Sequence, residues 1–267
     1  MVGISNYHTN GYKVWNNIHG AEDVALLAPE LEKKGFMVQA LTNEQATCQG
    51  ILHALDNFIA TSMKGDVVYL HFSCHGQPVE DGLNGMTKDE NDGWDESIVP
   101  IDAGKEYNST YKGEKHITDD ELNGYISKLR KKIGPAGMLY VAMDACHIGE
   151  ASRIGLETVR GSSEALTSNP NCVYNPPKSN IKHYSLEKGV GMAPALFVEA
   201  CMSHQRNTEI RINGKEYGAL SYNIWQALKG MTSLDKASKE QFKGKLHASI
   251  KVKGRWPRNS QDIVMEE

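Results

Sequence analysis

The strongest constraint on the fold is a rhythm. Four short apolar bursts, at residues 36–41, 67–72, 138–143 and 195–198, are separated by stretches of helical periodicity. The bursts are rich in branched and aromatic residues and too short for helices, as strands buried on both faces must be. Between them Val24, Leu27, Ala28 and Leu31 fall on one helical stripe, as do Ile51, Leu55, Phe58 and Ile59. Leu122, Tyr125, Ile126 and Leu129 form a third stripe, opened by Thr118 with Glu121 three residues on, a capping box. Leu220, Ile224, Ala227 and Leu228 form a fourth, with Gly230 at its expected stop. Strand and helix in alternation predict an α/β chain, a mostly parallel sheet covered by helices on both faces.

Two segments break the rhythm. Residues 76–118 are polar and acidic, and residues 151–192 carry Asn169-Pro170 and Pro176-Pro177. Both read as long irregular loops, and both follow the C-terminal ends of apolar strands, where open parallel sheets place ligands. A single domain is expected over residues 1–267. Its opening residues, Met1 to Ser5, read as part of a truncated strand without a signal peptide, which leaves the compartment open.

Composition narrows the partners. With 29 basic and 33 acidic residues the net charge is −4, and the charges are interspersed, which argues against a nucleic-acid partner. No apolar run reaches the roughly 18–20 residues of a membrane span. A monomer is expected. The five cysteines, Cys48, Cys74, Cys146, Cys172 and Cys201, include no CxxC pair, so neither a disulfide scaffold nor a zinc ribbon is expected.

The chemistry gathers at two strand ends. One strand runs into Ser73-Cys74-His75-Gly76 and the next into Asp144-Ala145-Cys146-His147. If the two are parallel neighbours, His75 and Cys146 meet at one edge, and an imidazole there can take the proton a thiol must lose to become a nucleophile. The amides of Gly76 and Cys146 can form an oxyanion hole. Asp144 stands two residues before Cys146, and Ser73 two before His75, so strand alternation turns each pair to one side. A zinc reading of His71, Cys74, His75, Cys146 and His147 fails on the same alternation, which sends Cys74 away from His71 and His75.

The segments Tyr69 to Gln77 and Met143 to Gly149 resemble the histidine and cysteine motifs of metacaspases and related bacterial caspase-like peptidases. The resemblance continues through Asp92 to Asp102, Ile117 to Leu122, His19 to Val24 and Gly218 to Tyr222. It implies a caspase-like three-layer sandwich with a mostly parallel central sheet of about six strands. It also implies a cysteine endopeptidase, with Cys146 as nucleophile, His75 as general base and acid, and Gly76 completing the oxyanion hole. No cofactor is required for that chemistry.

By the same resemblance Asp23 joins Ser73 and Asp144 in the pocket for the substrate residue before the cut, the P1 residue. Two carboxylates and a hydroxyl suit a guanidinium or ammonium, so the expected partner is a protein or peptide substrate with Arg or Lys at P1. Glu80, Asp81, Asp89, Glu90, Asp92, Asp95 and Glu96 face only Lys88 in their stretch, a cluster of hard oxygens that suits Ca²⁺. The positions matching a family Ca²⁺ site are Asp95, Asp119 and Asp120. A further family aspartate is replaced by Arg153, and a solvated acidic loop remains the alternative.

Cys201 reads as core, in a region that walls the cleft in caspase-like folds. For residues 151–192 three readings stay open: a cover over the cleft, a segment cut by the chain itself after Arg153, Arg160 or Lys178, and a passive surface loop, which composition favours. For the whole chain the rival readings are a caspase-fold binding module without turnover and a related Arg-specific thiol peptidase.

Overall fold

The computed structural model describes residues 1–7, 15–83, 93–147, 158–162, 164–175, 189–257 and 261–267. Among them a six-stranded sheet runs in the order β11-β8-β7-β3-β1-β2. Its strands are β1 (Val2–Gly3), β2 (Leu41–Thr42), β3 (Val67–Ser73), β7 (Met138–Asp144), β8 (Ala195–Glu199) and β11 (Val264–Glu266). All neighbours are parallel except β11, which pairs antiparallel with β8 at the edge.

Alternation along the strands builds two cores, one on each face. Val68, Leu70, Phe72, Leu139, Val141, Met143 and Phe197 pack against α2 (Cys48–Thr61) and α3 (Asp119–Ile133). Tyr69, Met138, Tyr140, Ala142, Leu196 and Val198 point the other way, onto α1 (Gly20–Glu32), α4 (Ala219–Lys229) and α5 (Lys239–Ile250). A sheet buried on both faces explains why its strands read as continuous apolar runs. The expected three layers are present, and α3 starts where the capping box indicated, the Thr118 hydroxyl accepting from the Glu121 amide.

Two expectations need correction. The burst at residues 36–41 is not a strand along its length, since only Leu41–Thr42 pair. Met37 is 96% exposed, so the run skirts the sheet edge rather than entering it. The described residues of 76–118 are not an irregular loop throughout either. They carry most of a small antiparallel sheet made of β4 (His75–Glu80), β5 (Trp94–Val99) and β6 (Ile117–Thr118). Its strands are buried on both sides, while their polar sequences hide the pattern. A hairpin of β9 (Glu209–Ile212) and β10 (Lys215–Gly218) leads into α4.

Candidate active site

The register of the central sheet creates the site. β3 and β7 pair in parallel with Ser73 opposite Asp144, so both chains leave the sheet at the same level. His75 and Cys146, each two residues further on, stand at that edge, and both are buried. A Cβ at Gly76 would come within 2.6 Å of the Cys146 carbonyl oxygen, so only glycine lets the two strand exits pass this closely.

His75 sits in an aromatic cage. Its ring lies 4.8 Å from that of Tyr7 and stacks at 5.0 Å on Trp15. Its Nε2 lies 2.7 Å from the Asn16 carbonyl oxygen, and because a carbonyl can only accept, Nε2 carries the proton. Nδ1 is therefore the basic nitrogen, buried and without a hydrogen-bond partner among the described residues. Burial lowers the imidazole to about 4, against a smaller opposing pull from the Asn16 hydrogen bond, so the ring is neutral at physiological pH. The Cys146 thiol donates to the Gln205 carbonyl at 3.0 Å.

The acidic side chains meet next to this corner, two residues back along the same strands. Asp23, Ser73 and Asp144 are fully buried and converge on a guanidinium supplied by the chain itself, that of Arg160. Its Nη2 lies 2.7 Å from Asp23, and its Nη1 donates to Ser73 at 2.6 Å and lies 3.6 Å from Asp144. Glu209 completes the cage, accepting from Nε at 3.0 Å and from Nη2 at 2.7 Å. Burial raises Asp23 to about 7, opposed by Arg160 and reinforced by Asp144 and Glu209. Asp144 goes the other way. Burial would raise it, but Arg160 and the bonds from Asn207 and Ser221 hold it below the usual carboxylate range.

The Arg160 backbone is held as firmly as its side chain. Its carbonyl oxygen accepts from the Cys146 amide at 3.0 Å and from the Gly76 amide at 3.3 Å, the two donors expected to form an oxyanion hole. The passive-loop expectation for residues 151–192 is therefore wrong around Arg160, which is 0% exposed. Isolated bridges join Val159 to Thr208 and Gly161 to Gly76. Arg153 and Lys178 lie outside the described residues.

A model of the metacaspase peptidase C14 domain matches residues 6–154. The chain belongs to this family. It is 26% identical over 220 residues to Metacaspase-1 of Schizosaccharomyces pombe, covering 70% of this chain and 48% of that protein. It is 32% identical over 105 residues to Metacaspase-1A of Neurospora crassa, covering 39% of this chain and 20% of that protein. The chain thus spans about half the length of the first of these relatives and less of the second. A solved protein of Geobacter sulfurreducens shares the fold with TM-score 0.62 and 20% identity, covering 99% of this chain and 91% of that one.

For this metacaspase-family chain the remaining expectations resolve unevenly. Asp95 lies on β5 and Asp119 and Asp120 open α3, brought alongside by the pairing of Ser97 with Thr118. Among the described residues it is His19, Glu209 and Glu216 that bring three metal-capable atoms within 4.8 Å of one another. That trio is an ion-pair group, with His19 Nδ1 2.5 Å from Glu209. Asp89, Glu90, Asp92 and Arg153 lie outside the described residues. The alternative zinc set is occupied otherwise, His71 being bonded by Tyr69 and Ser221 and lowered by burial to about 3.

Cys74 is buried behind the edge, and burial raises it to about 12. A hydrogen bond with Cys146 and burial raise Cys201 well above the ordinary thiol range.

Sequence reasoning missed Glu209, Asn207, Gln205 and the Tyr7–Trp15 cage, which reach the site from distant segments. Gly218 and Ser221 had a signal in the Gly218 to Tyr222 motif. The Gly218 amide donates to Asp23 at 3.0 Å, and the Ser221 amide and hydroxyl donate to Asp144 at 2.7 and 2.6 Å. A Cβ on Gly218 would overlap the Asp144 carboxylate and the Arg160 guanidinium.

Proposed function

We propose that this chain is a cysteine endopeptidase that cuts after arginine, and less rapidly after lysine, through a thioacyl intermediate. The observation that carries the reading is the seat of Arg160, whose guanidinium fills the acidic pocket while its carbonyl rests on the Cys146 and Gly76 amides. A P1 arginine of a substrate would occupy the same two seats.

His75, neutral and with Nδ1 free of other bonds, takes the thiol proton of Cys146. The thiolate attacks the P1 carbonyl carbon, and the two amides receive the oxyanion as it forms. His75 then returns the proton to the departing amine, and water releases the acyl group by the reverse sequence. No metal enters any step.

The pocket chemistry sets the specificity. Three carboxylates repel an aspartate at P1, a like-charge clash of several kcal/mol. Lysine keeps the charge but loses the forked fit to Asp23 and Glu209, about one charge-assisted hydrogen bond, or roughly tenfold in rate or more. The test compares fluorogenic peptides with Arg, Lys and Asp at P1. The expected order is Arg, then Lys, with Asp not turned over, and Cys146→Ala should lower the Arg rate on the order of 10⁴-fold or more. Faster hydrolysis of the Asp peptide would overturn the pocket assignment, and a Cys146→Ala rate equal to wild type would overturn the nucleophile. A binding module without turnover draws on the same occupied pocket, and it gains if no peptide is cut.

A further inference from the structure

We infer that His19 sets the preference for arginine over lysine at P1, by holding the Glu209 carboxylate in the orientation that receives the guanidinium fork. The inference rests on the peptidase reading above and adds to it a positioning residue outside the pocket.

The two carboxylates closest to the guanidinium come from separate elements. Asp23 lies in the first turn of α1, and Glu209 opens β9. Asp23 meets one nitrogen of the Arg160 guanidinium, Nη2 at 2.7 Å. Glu209 meets two through a single oxygen, Oε1 accepting from Nε at 3.0 Å and from Nη2 at 2.7 Å. Arg160 stands here for the side chain of a substrate. An ammonium is a point charge with no counterpart of the paired Nε–H and Nη2–H, so Oε1 is where arginine and lysine differ most.

His19 fixes the aim of that oxygen. It immediately precedes α1, and its carbonyl oxygen accepts from the Asp23 amide at 3.2 Å. It also reaches Glu209 twice, its backbone amide donating to Oε1 at 2.8 Å and its Nδ1 lying 2.5 Å from Oε2. An ionised carboxylate only accepts, so Nδ1 carries the proton in that bond. Burial pulls the imidazole down, but the Glu209 bond and the charges of Glu209, Glu22 and Glu216 outweigh it and raise the ring above its ordinary value. On the other side of the ring, Nε2 lies 3.5 Å from Glu216 of β10. One residue thus ties the helix that carries Asp23 to the hairpin that carries Glu209.

A histidine–glutamate contact at a protein surface has an ordinary explanation, an ion pair worth little. Here the His19 side chain is 34% exposed but that of Glu209 only 2%, and its other oxygen is the one that faces the guanidinium. His19 also borders a cavity of about 660 Å³ with Glu216 and Tyr217, so removing the ring would open space beside Oε2. A carboxylate released there can rotate out of line with Nε. Its charge would stay near the pocket and still attract any cation, while the fork would be lost. Removing the His19 donor therefore costs arginine binding more than lysine binding.

The test measures kcat and KM of the full chain on two fluorogenic peptides that differ only in Arg or Lys at P1. Wild type should favour Arg by roughly tenfold or more. His19→Ala should raise KM for the Arg peptide and cut the preference to about threefold or less, with kcat and the Lys KM moving less. His19→Gln, whose amide can still donate to Oε2, should keep most of the preference. His19→Phe keeps the bulk of a ring without the donor and should match His19→Ala, which covers the case of an alanine variant that does not fold.

A wild-type preference retained in the variants without the donor would overturn the inference and leave the peptidase reading standing. So would a parallel rise of both KM values, which marks a general structural role, or the failure of both donor-free variants to fold. A wild type that cuts the two peptides equally well removes the forked fit, and one that cuts neither removes the peptidase reading; the inference falls with each.

Discussion

Two polar clusters share one sheet edge and are built on opposite principles. The pocket around Arg160 is dense in charge, with Asp23, Asp144 and Glu209 around one guanidinium and bonded by Ser73, Asn207, Gly218 and Ser221. The corner around His75 is mainly aromatic, an imidazole between Tyr7 and Trp15 whose Nε2 meets a backbone carbonyl, with the Lys105 ammonium over the Trp15 ring. Recognition of a cation uses buried negative charge, which costs much in desolvation unless it is paired and hydrogen-bonded. Proton transfer needs a base that stays uncharged until the reaction calls on it, and a dry aromatic cage keeps it so. Adjacent sites can follow both rules because Ser73 and His75, and likewise Asp144 and Cys146, are two residues apart on strands that leave the sheet together.

Of the two clusters, the one around the neutral base should show the larger effect when that base is removed. His75→Gln is expected to lower kcat on the Arg-P1 peptide by about 10²–10⁴-fold, with a melting temperature close to wild type. A kcat within a few-fold of wild type would remove His75 from the reaction and with it the contrast between the two clusters. Asp144→Asn attacks the other cluster and should show in two readouts. Weakened charge-assisted bonds to Ser221 and Arg160 should destabilise the fold by on the order of 1–3 kcal/mol, measured by denaturant titration, and KM for the Arg peptide should rise. If both values stay put, the pocket does not depend on its charge.

The smallest effect, and the sharpest discriminator, is pH. Asp23 is pushed up to about 7, so its carboxyl ionises as pH rises through neutrality, and KM for an Arg-P1 peptide should fall modestly from pH 6 to 8. His75, lowered to about 4, stays neutral over that range, so kcat should not acquire an acid limb there. The same Asp23 shift predicts a stability trend. Between its ordinary 3.8 and about 7 the folded state holds more proton than the unfolded one, so the stability this group contributes is lost as pH rises across that window. Melting temperatures that rise through the window in wild type but not in Asp23→Asn would reverse the assignment.

Much of the fold was legible because its signals are local. The bursts at 67–72, 138–143 and 195–198 became β3, β7 and β8, and each of the four helical stripes lies within a helix. Where the local signal was weak, reading failed. β4 and β5 are buried but carry Gln77, Asp95, Glu96 and Ser97, whose polarity is satisfied by tertiary partners such as the Ser97 bond to the Gln77 carbonyl. No apolar pattern survives to announce them. Helix α5 carries its apolar face on few residues, Phe242 and Leu246 buried among lysines, and it too went unread.

The candidate site divides along the same line. Cys146, His75, Gly76, Ser73 and Asp144 can be named from sequence because each lies within three residues of an apolar strand whose period and direction are readable. That these strands are neighbours in register was a matter for the tertiary structure, as was the convergence of Asp23 and Glu209 on one pocket from an early helix and a late hairpin. The seating of Arg160 belongs there too. In the sequence it is one basic residue among several in a polar loop, and only the folded chain brings its carbonyl to the Cys146 and Gly76 amides and its guanidinium to three carboxylates. Periodicity encodes which face of an element is buried; it carries no information about which distant residue will meet that face.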